Sequence, residues 1–215
     1  MDFHDLDHIF REDYLKGSLL ETDVAPNPMD QFKLWFNDIV ELGNRQPNAM
    51  VLSTASSDGI PSSRIVLLKD VLDTGFVFFT NYDSGKGKAI DANHHVSLLF
   101  YSIELERQIH IAGCAEKVSY EDSNHYFQSR PFESQVAAIT SHQSTVIESR
   151  EALEADFKRH FEVFKNEQPE CPEYWGGYLV KPVSFEFWQG RKSRFHDRIC
   201  YKLDNDIWTI FRKAP

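Results

Sequence analysis

The sequence predicts a mainly β fold, an antiparallel barrel or sandwich with helices packed around it. Short apolar segments of strand length recur along the chain, and turn sequences such as SSDG and LDTG separate them. The early strands follow one another without long helices between them, which favours an antiparallel meander over βαβ units. The 215 residues contain no internal repeat and no linker, so we expect a single domain over residues 1–215, with residues 1–26 as an N-terminal segment.

Each predicted strand follows from its own apolar pattern. AMVLSTAS and PSSRIVLLKD flank a turn and are expected to pair as a hairpin. FVFFTN, HVSLLFYS and LERQIHIAGCAEKVS extend this meander to five or six strands. Towards the carboxyl end, YLVKPVSFEFWQG, RFHDRICYKL and DIWTIF return to the strand pattern, so strands are expected on both sides of a helical middle.

Helices are predicted at four places. In the segment 27–42, Asn27 is a suitable N-cap, Pro28 suits the first helical position and Gly43 ends the helix. The apolar positions of this helix fall on one face, and they are Phe32, Trp35, Phe36 and Ile39. Further helices are expected at 86–92, over EDSNHYFQSR up to Pro131, and at 149–165.

The net charge and the cysteines exclude several classes of protein. A net charge of -10 disfavours general binding to nucleic acids and membrane surfaces, since both are polyanions. Three widely spaced cysteines without a CxxC pair argue against a disulfide framework or a zinc site. The amino terminus does not resemble a signal peptide, and no run is long enough to span a membrane, so we expect a reduced, cytoplasmic protein.

Sequence fingerprints of several enzyme classes are absent as well. The chain contains no GxGxxG loop after a strand, no Walker A loop and no GxSxG nucleophile elbow. His94 and His95 are adjacent, so on a strand they point to opposite faces and form an unsuitable metal pair, and no metal is expected. In so acidic a chain, an anionic ligand must be bound by local clusters of Arg and Lys, and four such clusters occur.

The first two clusters follow each other closely. Arg64 and Lys69 bracket the apolar run IVLL, and their spacing places them on opposite faces of a regular strand unless a bulge intervenes. The segment 81–88, NYDSGKGK, has the composition of a loop that binds phosphate at a helix N-terminus. A core strand with charged ends and a solvated loop are the structural alternatives.

The third cluster combines a phenol, a guanidinium and a hydroxyl. Tyr126 and Arg130 are four residues apart on one face of a predicted helix, and Ser134 lies in the turn after Pro131. Such a set would suit a phosphate monoester. A Tyr–Arg stack on the surface fits the pattern equally well.

The fourth cluster alternates along a predicted strand. Arg194, His196 and Arg198 would line one face, while Phe195 and Ile199 would point into a core. Three polar groups able to carry positive charge are costly side by side unless they meet an anion or water. The pattern therefore fits either an anion site or a solvated strand face.

Together these segments resemble the pyridoxine/pyridoxamine 5'-phosphate oxidase family. The resemblance runs from REDYLKG to the carboxyl-terminal RKAP, and the best-matching pieces are RIVLLK, FFTNYDS, LERQ, YFQSRPFESQ, SHQS, YWGGY, EFWQG and RFHDR. It implies a mainly β fold with surrounding helices, the FMN-binding split β-barrel, assembled as a homodimer with FMN at the subunit interface.

The resemblance also implies site residues. FMN contacts are implied for Arg64, Ile65, Val66, Leu67, Leu68, Lys69, Phe79, Thr80, Lys86, Gln108, Gln143, Ser144, Trp188 and Arg198. Contacts to the substrate phosphate are implied for Lys69, Tyr126, Arg130 and Ser134. Arg194 and His196 fall beside the substrate ring and are the implied catalytic residues, while Arg11 and Tyr14 match an N-terminal segment that covers the bound substrate.

The implied activity belongs to vitamin B6 metabolism. It is the oxidation of pyridoxamine 5'-phosphate and pyridoxine 5'-phosphate to pyridoxal 5'-phosphate, by hydride transfer from C4' to the flavin, with O2 as acceptor and H2O2 as product. Two alternatives stay open: another split-barrel FMN reductase, and a non-catalytic protein that binds FMN or pyridoxal phosphate. Two departures from the family pattern bear on this, because Gly85 stands where an Arg is usual and Lys213 where a Leu is usual.

Overall fold

The computed structural model describes residues 13–215, which form nine β-strands and five α-helices. The strands are β1 (Ala49–Ala55), β2 (Pro61–Leu67), β3 (Asp70–Leu72), β4 (Gly75–Asn81), β5 (His95–Ser102), β6 (Arg107–Lys117), β7 (Trp175–Gln189), β8 (Asp197–Asp204) and β9 (Ile207–Arg212). The helices are α1 (Pro28–Glu41), α2 (Gly85–Ala92), α3 (Tyr120–Ser129), α4 (Phe132–Thr140) and α5 (Arg150–Phe164).

The strands hydrogen-bond in the order β2-β1-β5-β6-β7-β4-β3, with β8 paired to β7 and β9 paired to β8. The predicted hairpin is present, since β1 and β2 pair antiparallel from Ala49 opposite Leu67 to Ala55 opposite Pro61. β4 pairs antiparallel with β7, although about 100 residues separate them in the sequence. The predicted mainly β fold with helices is therefore confirmed.

The chain divides into two compact units, and three strands run from one unit into the other. The central unit comprises residues 48–98 and 112–182. The terminal unit comprises the chain up to Pro47 together with residues 99–111 and 183–215. Each unit has its own buried side chains and is described separately.

The terminal unit is built around helix α1, which begins where the sequence predicts. Asn27 is the N-cap, and its Oδ1 accepts a hydrogen bond from the backbone N–H of Met29 at 2.9 Å. The buried face of the helix presents Phe32 and Trp35 to other aromatic rings of the unit. Trp35 meets Phe187 edge to face, with ring centroids 5.3 Å apart.

The central unit has its core beneath β4, a strand with six of its seven residues buried. Phe78 of β4 stacks on Tyr178 of β7 at 5.6 Å. A second cluster forms where β7 begins, and Phe127, Cys171 and Trp175 are buried there. This second cluster supports the site described below.

The structure corrects the prediction that Tyr126 and Arg130 share a helix face. Helix α3 ends at Ser129, and Arg130 has extended backbone angles, with φ −76° and ψ 152°. The residue before a proline is disfavoured in helical conformation, and Pro131 follows directly. Pro131 caps helix α4, so Ser134 lies in the first turn of a new helix.

The predicted strand that carries Arg194, His196 and Arg198 on one face is also wrong. Residues Lys192–Arg194 form a 3-10 turn in which Arg194 has a positive φ of 62°. β8 begins only at Asp197, which is paired with Gln189, the last residue of β7. Without a paired neighbour beyond that point, the chain leaves the strand conformation.

Among the described residues, no helix is long and apolar enough to cross a membrane.

Candidate active site

A cavity of about 580 Å³ opens in the central unit beside β2, β4, α3 and α4. The four residues implied for phosphate binding all line it, namely Lys69, Tyr126, Arg130 and Ser134. Eight of the residues implied for FMN line it: Lys69 again, Ile65, Val66 and Leu67 from β2, Phe79 and Thr80 from β4, and Lys86 and Gln143. The fold thus gathers residues separated by up to 110 positions, from Ile65 to Trp175, around one space.

Three aromatic rings form one side of this cavity. The ring of Tyr126 lies on that of Phe79, with centroids 3.9 Å apart and an angle of 21° between the planes. Trp175 is nearly parallel to Tyr126, at 5° and 6.2 Å. The ammonium of Lys69 lies 5.8 Å from the Tyr126 centroid. Packing therefore holds the Tyr126 ring in place beside a cation.

The guanidinium of Arg130 lies over an aromatic face in the same cavity. Its central carbon is 4.7 Å from the ring centroid of Trp175 and 5.8 Å from that of Phe127. Burial lowers the pKa of Arg130. Its Nη1 atom is buried and has no hydrogen-bond partner among the described residues. A buried, unpaired guanidinium N–H is costly, and an anionic ligand would offset that cost.

The backbone of Arg130 is fixed from a different direction. The side-chain amide of Gln135 donates to the carbonyl oxygen of Arg130 at 2.8 Å and to that of Gln128 at 3.3 Å. Gln135 is buried, with 4% of its surface exposed. The turn between α3 and α4 is therefore held by a side chain from the helix that follows it.

A second cavity, of about 740 Å³, lies on the other side of Lys86 in the central unit. It shares Ile65, Lys86 and Gln143 with the first cavity, and it adds Arg64 and Ser144 to the implied residues. Among the described residues, the guanidinium of Arg64 donates only to neutral oxygens: to Thr54 Oγ1 at 2.9 Å, to Ser62 Oγ at 2.7 Å and to a backbone carbonyl.

Lys86 is bonded in the same manner. Its Nζ lies 2.7 Å from Gln143 Oε1, 3.0 Å from Thr80 Oγ1 and 3.1 Å from Ser84 Oγ. Burial first, and the positive charge of Arg64 second, lower the pKa of Lys86 to about 8. Lys86 has no carboxylate partner among the described residues, so an anion bound here would favour its charged form.

Helix α2 presents its N-terminus to this second cavity through Gly85 and Lys86. Ser84 caps the helix, and its Oγ accepts from the backbone N–H of Gly87 at 3.3 Å. A Cβ on Gly87 would lie 1.9 Å from the carbonyl oxygen of Tyr82, so only glycine fits this turn. A Cβ on Gly85 would meet only Ser144 Oγ, at 3.9 Å. Position 85 therefore has room for a side chain.

These donor groups fit FMN together with a phosphorylated substrate. Arg64 and Lys86 have only neutral partners among the described residues and lie beside a helix N-terminus, which suits a phosphate ester. The Arg130 N–H that has no partner among the described residues suits a second phosphate, together with Lys69, Tyr126 and Ser134. Ile65, which lines both cavities, gives a planar ring an apolar surface between the two.

In the terminal unit, three rings implied for the site form a separate cluster. Tyr14 meets Trp188 and His196 edge to face, each at 5.6 Å, and Trp188 lies 4.7 Å from His196. His196 Nδ1 accepts from the backbone N–H of Arg191 at 3.1 Å, which leaves Nε2 as its other ring nitrogen. Burial and the charge of Arg194 lower the pKa of His196.

Arg198 differs from the cations of the central unit, because a carboxylate holds it. Its Nε and Nη2 each donate to Glu186 at 2.9 Å, and its Nη1 donates to the carbonyl oxygen of Ala214 at 3.0 Å. Lys213 Nζ also contacts Glu186, at 3.3 Å. Lys213, which departs from the family pattern, therefore contacts the same carboxylate as Arg198, one of the implied FMN contacts.

Several implied residues lie elsewhere. Leu68 is buried and lines neither cavity. Gln108 is half-buried and Arg194 is exposed, both in the terminal unit. Arg11 lies outside the described residues. Lys88, which could stand in for the missing Arg at position 85, lines neither cavity.

Two residues that the structure places in or beside the site carried no predicted role. Trp175 lines the first cavity and lies under Arg130, and Gln135 holds the backbone of Arg130. Both occur in segments that resemble the family, YWGGY and YFQSRPFESQ. The family resemblance therefore covered both residues, but the sequence alone does not show which side chain a single aromatic or amide residue contacts.

Known protein families support this reading of the geometry. Residues 38–164 match the family model of pyridoxamine 5'-phosphate oxidase, and residues 175–215 match that of the pyridoxine 5'-phosphate oxidase C-terminal dimerisation region. A pyridoxine/pyridoxamine 5'-phosphate oxidase of Paraburkholderia phymatum is 51% identical over 206 residues, covering 95% of this chain and 97% of that protein. One of Cyanothece sp. is 46% identical over 205 residues, covering 95% and 96%.

Solved structures show the same fold. PhzG from Burkholderia lata, crystallised with tetrahydrophenazine-1-carboxylic acid, has a TM-score of 0.86 and 29% identity, covering 92% of this chain and 98% of that one. An FMN-binding protein related to pyridoxamine 5'-phosphate oxidase from Nostoc punctiforme has a TM-score of 0.68 at 16% identity, which speaks for the fold alone. The chain therefore belongs to the pyridoxamine 5'-phosphate oxidase family, whose members are oxidoreductases with the FMN-binding split β-barrel fold.

Proposed function

We propose that this protein oxidises pyridoxamine 5'-phosphate and pyridoxine 5'-phosphate to pyridoxal 5'-phosphate, with FMN as cofactor, O2 as acceptor and H2O2 as product. The observation that carries this proposal is the cavity lined by Lys69, Tyr126, Arg130 and Ser134, where a buried guanidinium N–H has no partner within residues 13–215. Relatives of 46% and 51% identity over nearly the whole chain bear the name of this activity.

In this proposal the central unit binds two phosphates. Arg64, Lys86 and the N-terminus of α2 hold the phosphate of FMN, and Ser144 and Gln143 lie beside them. Arg130, Lys69 and the hydroxyls of Tyr126 and Ser134 hold the substrate phosphate. Fixing both phosphates restricts the relative position of the two rings, which is the main catalytic contribution that a binding cavity can make.

Bound FMN would supply the redox chemistry, accepting two electrons from the substrate and passing them to O2. Arg194 and His196 are proposed to orient the substrate ring, as the family resemblance implies. His196 can do so as a neutral imidazole at pH 7, since burial and Arg194 lower its pKa. Its Nδ1 is already bonded to a backbone N–H, so Nε2 is the nitrogen that would face a ligand. We assign no general base.

A homodimer is proposed on the match of residues 175–215 to the C-terminal dimerisation region. The exposed strand β9 lies in this region, and Ile207, Ile210 and Phe211 are exposed there by 67%, 39% and 38%. An edge strand with exposed apolar side chains is suited to cover by a second subunit.

A second candidate is oxidation of a larger aromatic acid. The 29% identity and TM-score of 0.86 to PhzG, crystallised with a tetrahydrophenazine carboxylic acid, favour it. The four-residue set of two cations and two hydroxyls favours the B6 vitamers, because the double charge and three oxygens of a phosphate match it better than the single charge of a carboxylate. The FMN reductase and the non-catalytic binding protein are the remaining alternatives.

The test is to mix the FMN-loaded protein with pyridoxamine 5'-phosphate in the absence of oxygen and to follow the flavin absorbance near its visible maximum. We expect bleaching that reverses when air is admitted, with one H2O2 formed per pyridoxal phosphate. A flavin that stays oxidised with both phosphorylated vitamers contradicts the proposal. Bleaching by a nicotinamide donor instead would identify a reductase, and bleaching by tetrahydrophenazine-1-carboxylic acid would identify the second candidate.

A further inference from the structure

The indole of Trp175 is the surface on which the guanidinium of Arg130 rests. The distance from the guanidinium carbon to the ring centroid is 4.7 Å. The indole is itself held in place, because it stacks in parallel with the rings of Tyr126 and Phe79. The backbone N–H of Trp175 donates to the carbonyl oxygen of Pro172 at 2.9 Å. Only 7% of Trp175 is exposed. A rigid aromatic face therefore lies under the cation of the phosphate cavity.

The nature of this support matters for binding. A buried guanidinium needs a favourable electrostatic partner, because burial disfavours its charge. A carboxylate would supply one, but it would also occupy the N–H groups and repel a phosphate. The negative face of an indole stabilises the cation without accepting its hydrogen bonds. The N–H groups in the plane of the guanidinium thus stay available to a ligand.

A second Arg–Trp pair in this protein shows the alternative. The guanidinium of Arg107 lies 4.5 Å from the ring centroid of Trp35 in the terminal unit. It also donates to the carboxylate of Asp38 and, at 2.8 Å, to Gln189 Oε1. Arg107 is therefore bonded to a carboxylate and to an amide oxygen, whereas Nη1 of Arg130 has no partner among the described residues.

We propose that Trp175 is a positioning residue for phosphate recognition, and that its indole face holds the Arg130 guanidinium with the N–H groups directed to the ligand phosphate. The proposal rests on the proposed function in naming the phosphorylated B6 vitamers as ligands. One part of the proposal does not depend on the identity of the ligand: affinity for a phosphate group requires an aromatic face at position 175.

The experiment compares Trp175→Phe and Trp175→Leu with the wild-type holoenzyme. KM is measured for pyridoxamine 5'-phosphate and for pyridoxamine, which lacks the phosphate, and the affinity for inorganic phosphate is measured by calorimetry. For Trp175→Leu we expect the KM for the phosphorylated amine and the Kd for phosphate to rise about tenfold together. The KM for pyridoxamine should change less than twofold. Trp175→Phe should recover most of the affinity, since it keeps an aromatic face.

The matched control is Trp35→Phe, which alters the other Arg–Trp pair. It should leave both KM values and the phosphate Kd unchanged. Equal losses for both amines in the Trp175 variants, in step with a fall in melting temperature, would show a purely structural role and overturn the proposal. If Trp175→Leu does not fold, an unchanged phosphate Kd in both Trp175→Phe and Trp175→Met overturns it equally.

The proposed function and the role of Trp175 are tested by different measurements. If the wild-type protein never oxidises a B6 vitamer, the proposed function is contradicted, but the phosphate calorimetry still tests the role of Trp175. If the wild-type protein oxidises pyridoxamine 5'-phosphate but the Trp175 variants have an unchanged KM and phosphate Kd, the role of Trp175 is contradicted and the proposed function stands.

Discussion

Arg107 in the terminal unit and Arg130 in the central unit both lie over the face of a tryptophan, but their guanidinium groups have different partners. Arg107 is bonded to Asp38 and Gln189, while Arg130 keeps a buried N–H that has no partner in the described part of the chain. The contrast extends to Arg198, which Glu186 holds with two bonds, and to Lys86, whose hydrogen-bond partners among residues 13–215 are all neutral oxygens.

This contrast separates structural cations from cations prepared for a ligand. A buried charge with a carboxylate partner stabilises the local structure and has little left to offer an anion. A cation among neutral oxygens or aromatic faces keeps its charge available, and the protein bears the cost until the ligand binds. Among the described residues, the cations that line the two cavities of the central unit are of the second kind.

The largest expected effect comes from Arg130→Ala. Loss of charge-assisted hydrogen bonds worth about 1.5–3 kcal/mol each should raise the KM for pyridoxamine 5'-phosphate about 100-fold. The melting temperature should change little, because the variant removes a half-buried charge that has no carboxylate partner among the described residues. Steady-state kinetics and thermal unfolding give the two readouts.

Arg107→Ala is the matched control for this variant. It should lower the melting temperature, since Asp38 loses its partner and Trp35 loses a packed guanidinium. Its KM should be that of the wild type. The distinction between structural and ligand-binding arginines breaks down if Arg130→Ala destabilises the fold as much as Arg107→Ala and leaves KM unchanged.

Glu186→Gln should give the next largest effect, on stability. Burial raises the pKa of Glu186, but the hydrogen bonds from Arg198 and Lys213 outweigh it and leave the pKa below the usual value of 4.5. The carboxylate therefore stabilises the fold above about pH 4.5, and this contribution is lost as the pH falls through the folded-state pKa. The variant should be less stable than the wild type by about 2 kcal/mol at pH 7.

Denaturant unfolding at pH 7 and at low pH checks this prediction. The difference between wild type and Glu186→Gln should shrink in acid, because both side chains are then uncharged. A difference that is the same at both pH values would show that Glu186 acts by packing and not by its charge.

The pKa of Lys86, at about 8, predicts a pH dependence of FMN affinity. The ammonium is charged below that value and attracts the FMN phosphate, so affinity should fall by up to about tenfold between pH 7 and pH 9. Lys86→Arg keeps its charge over this range and should flatten the profile. Quenching of flavin fluorescence measures the affinity, and identical profiles for the two proteins would exclude Lys86 as the source.

The smallest expected effect is that of Gly85→Arg. The site has room, since a Cβ there meets only Ser144 Oγ at 3.9 Å. An added guanidinium near the N-terminus of α2 should tighten FMN binding about fivefold. Gly85→Ala controls for helix propensity alone. Weaker or unchanged affinity in Gly85→Arg relative to Gly85→Ala would mean that Arg64 and Lys86 already saturate the phosphate.

Much of the fold follows from local sequence signals. The N-cap at Asn27, the β1–β2 hairpin and the helices α2 and α5 lie where the patterns predict them, because capping and alternation depend on neighbours in the chain. The family resemblance supplied the site residues, and the structure brings its central-unit members, apart from Leu68, to the two cavities. Local patterns predicted the wrong backbone conformation at two residues. At Arg130 the following Pro131 ends the helix, and at Arg194 the strand has no paired neighbour.

Composition and short-range periodicity are enough to predict the mainly β class, the strand-forming segments and the basic clusters of an acidic chain. Which of these cations has a counter-ion depends instead on contacts made in the folded chain. Glu186 holds Arg198 because β7 and β8 pair in one register, and Trp175 supports Arg130 because β7 begins under the turn between α3 and α4. Contacts between residues distant in sequence arise from strand pairing and packing, which no local pattern encodes.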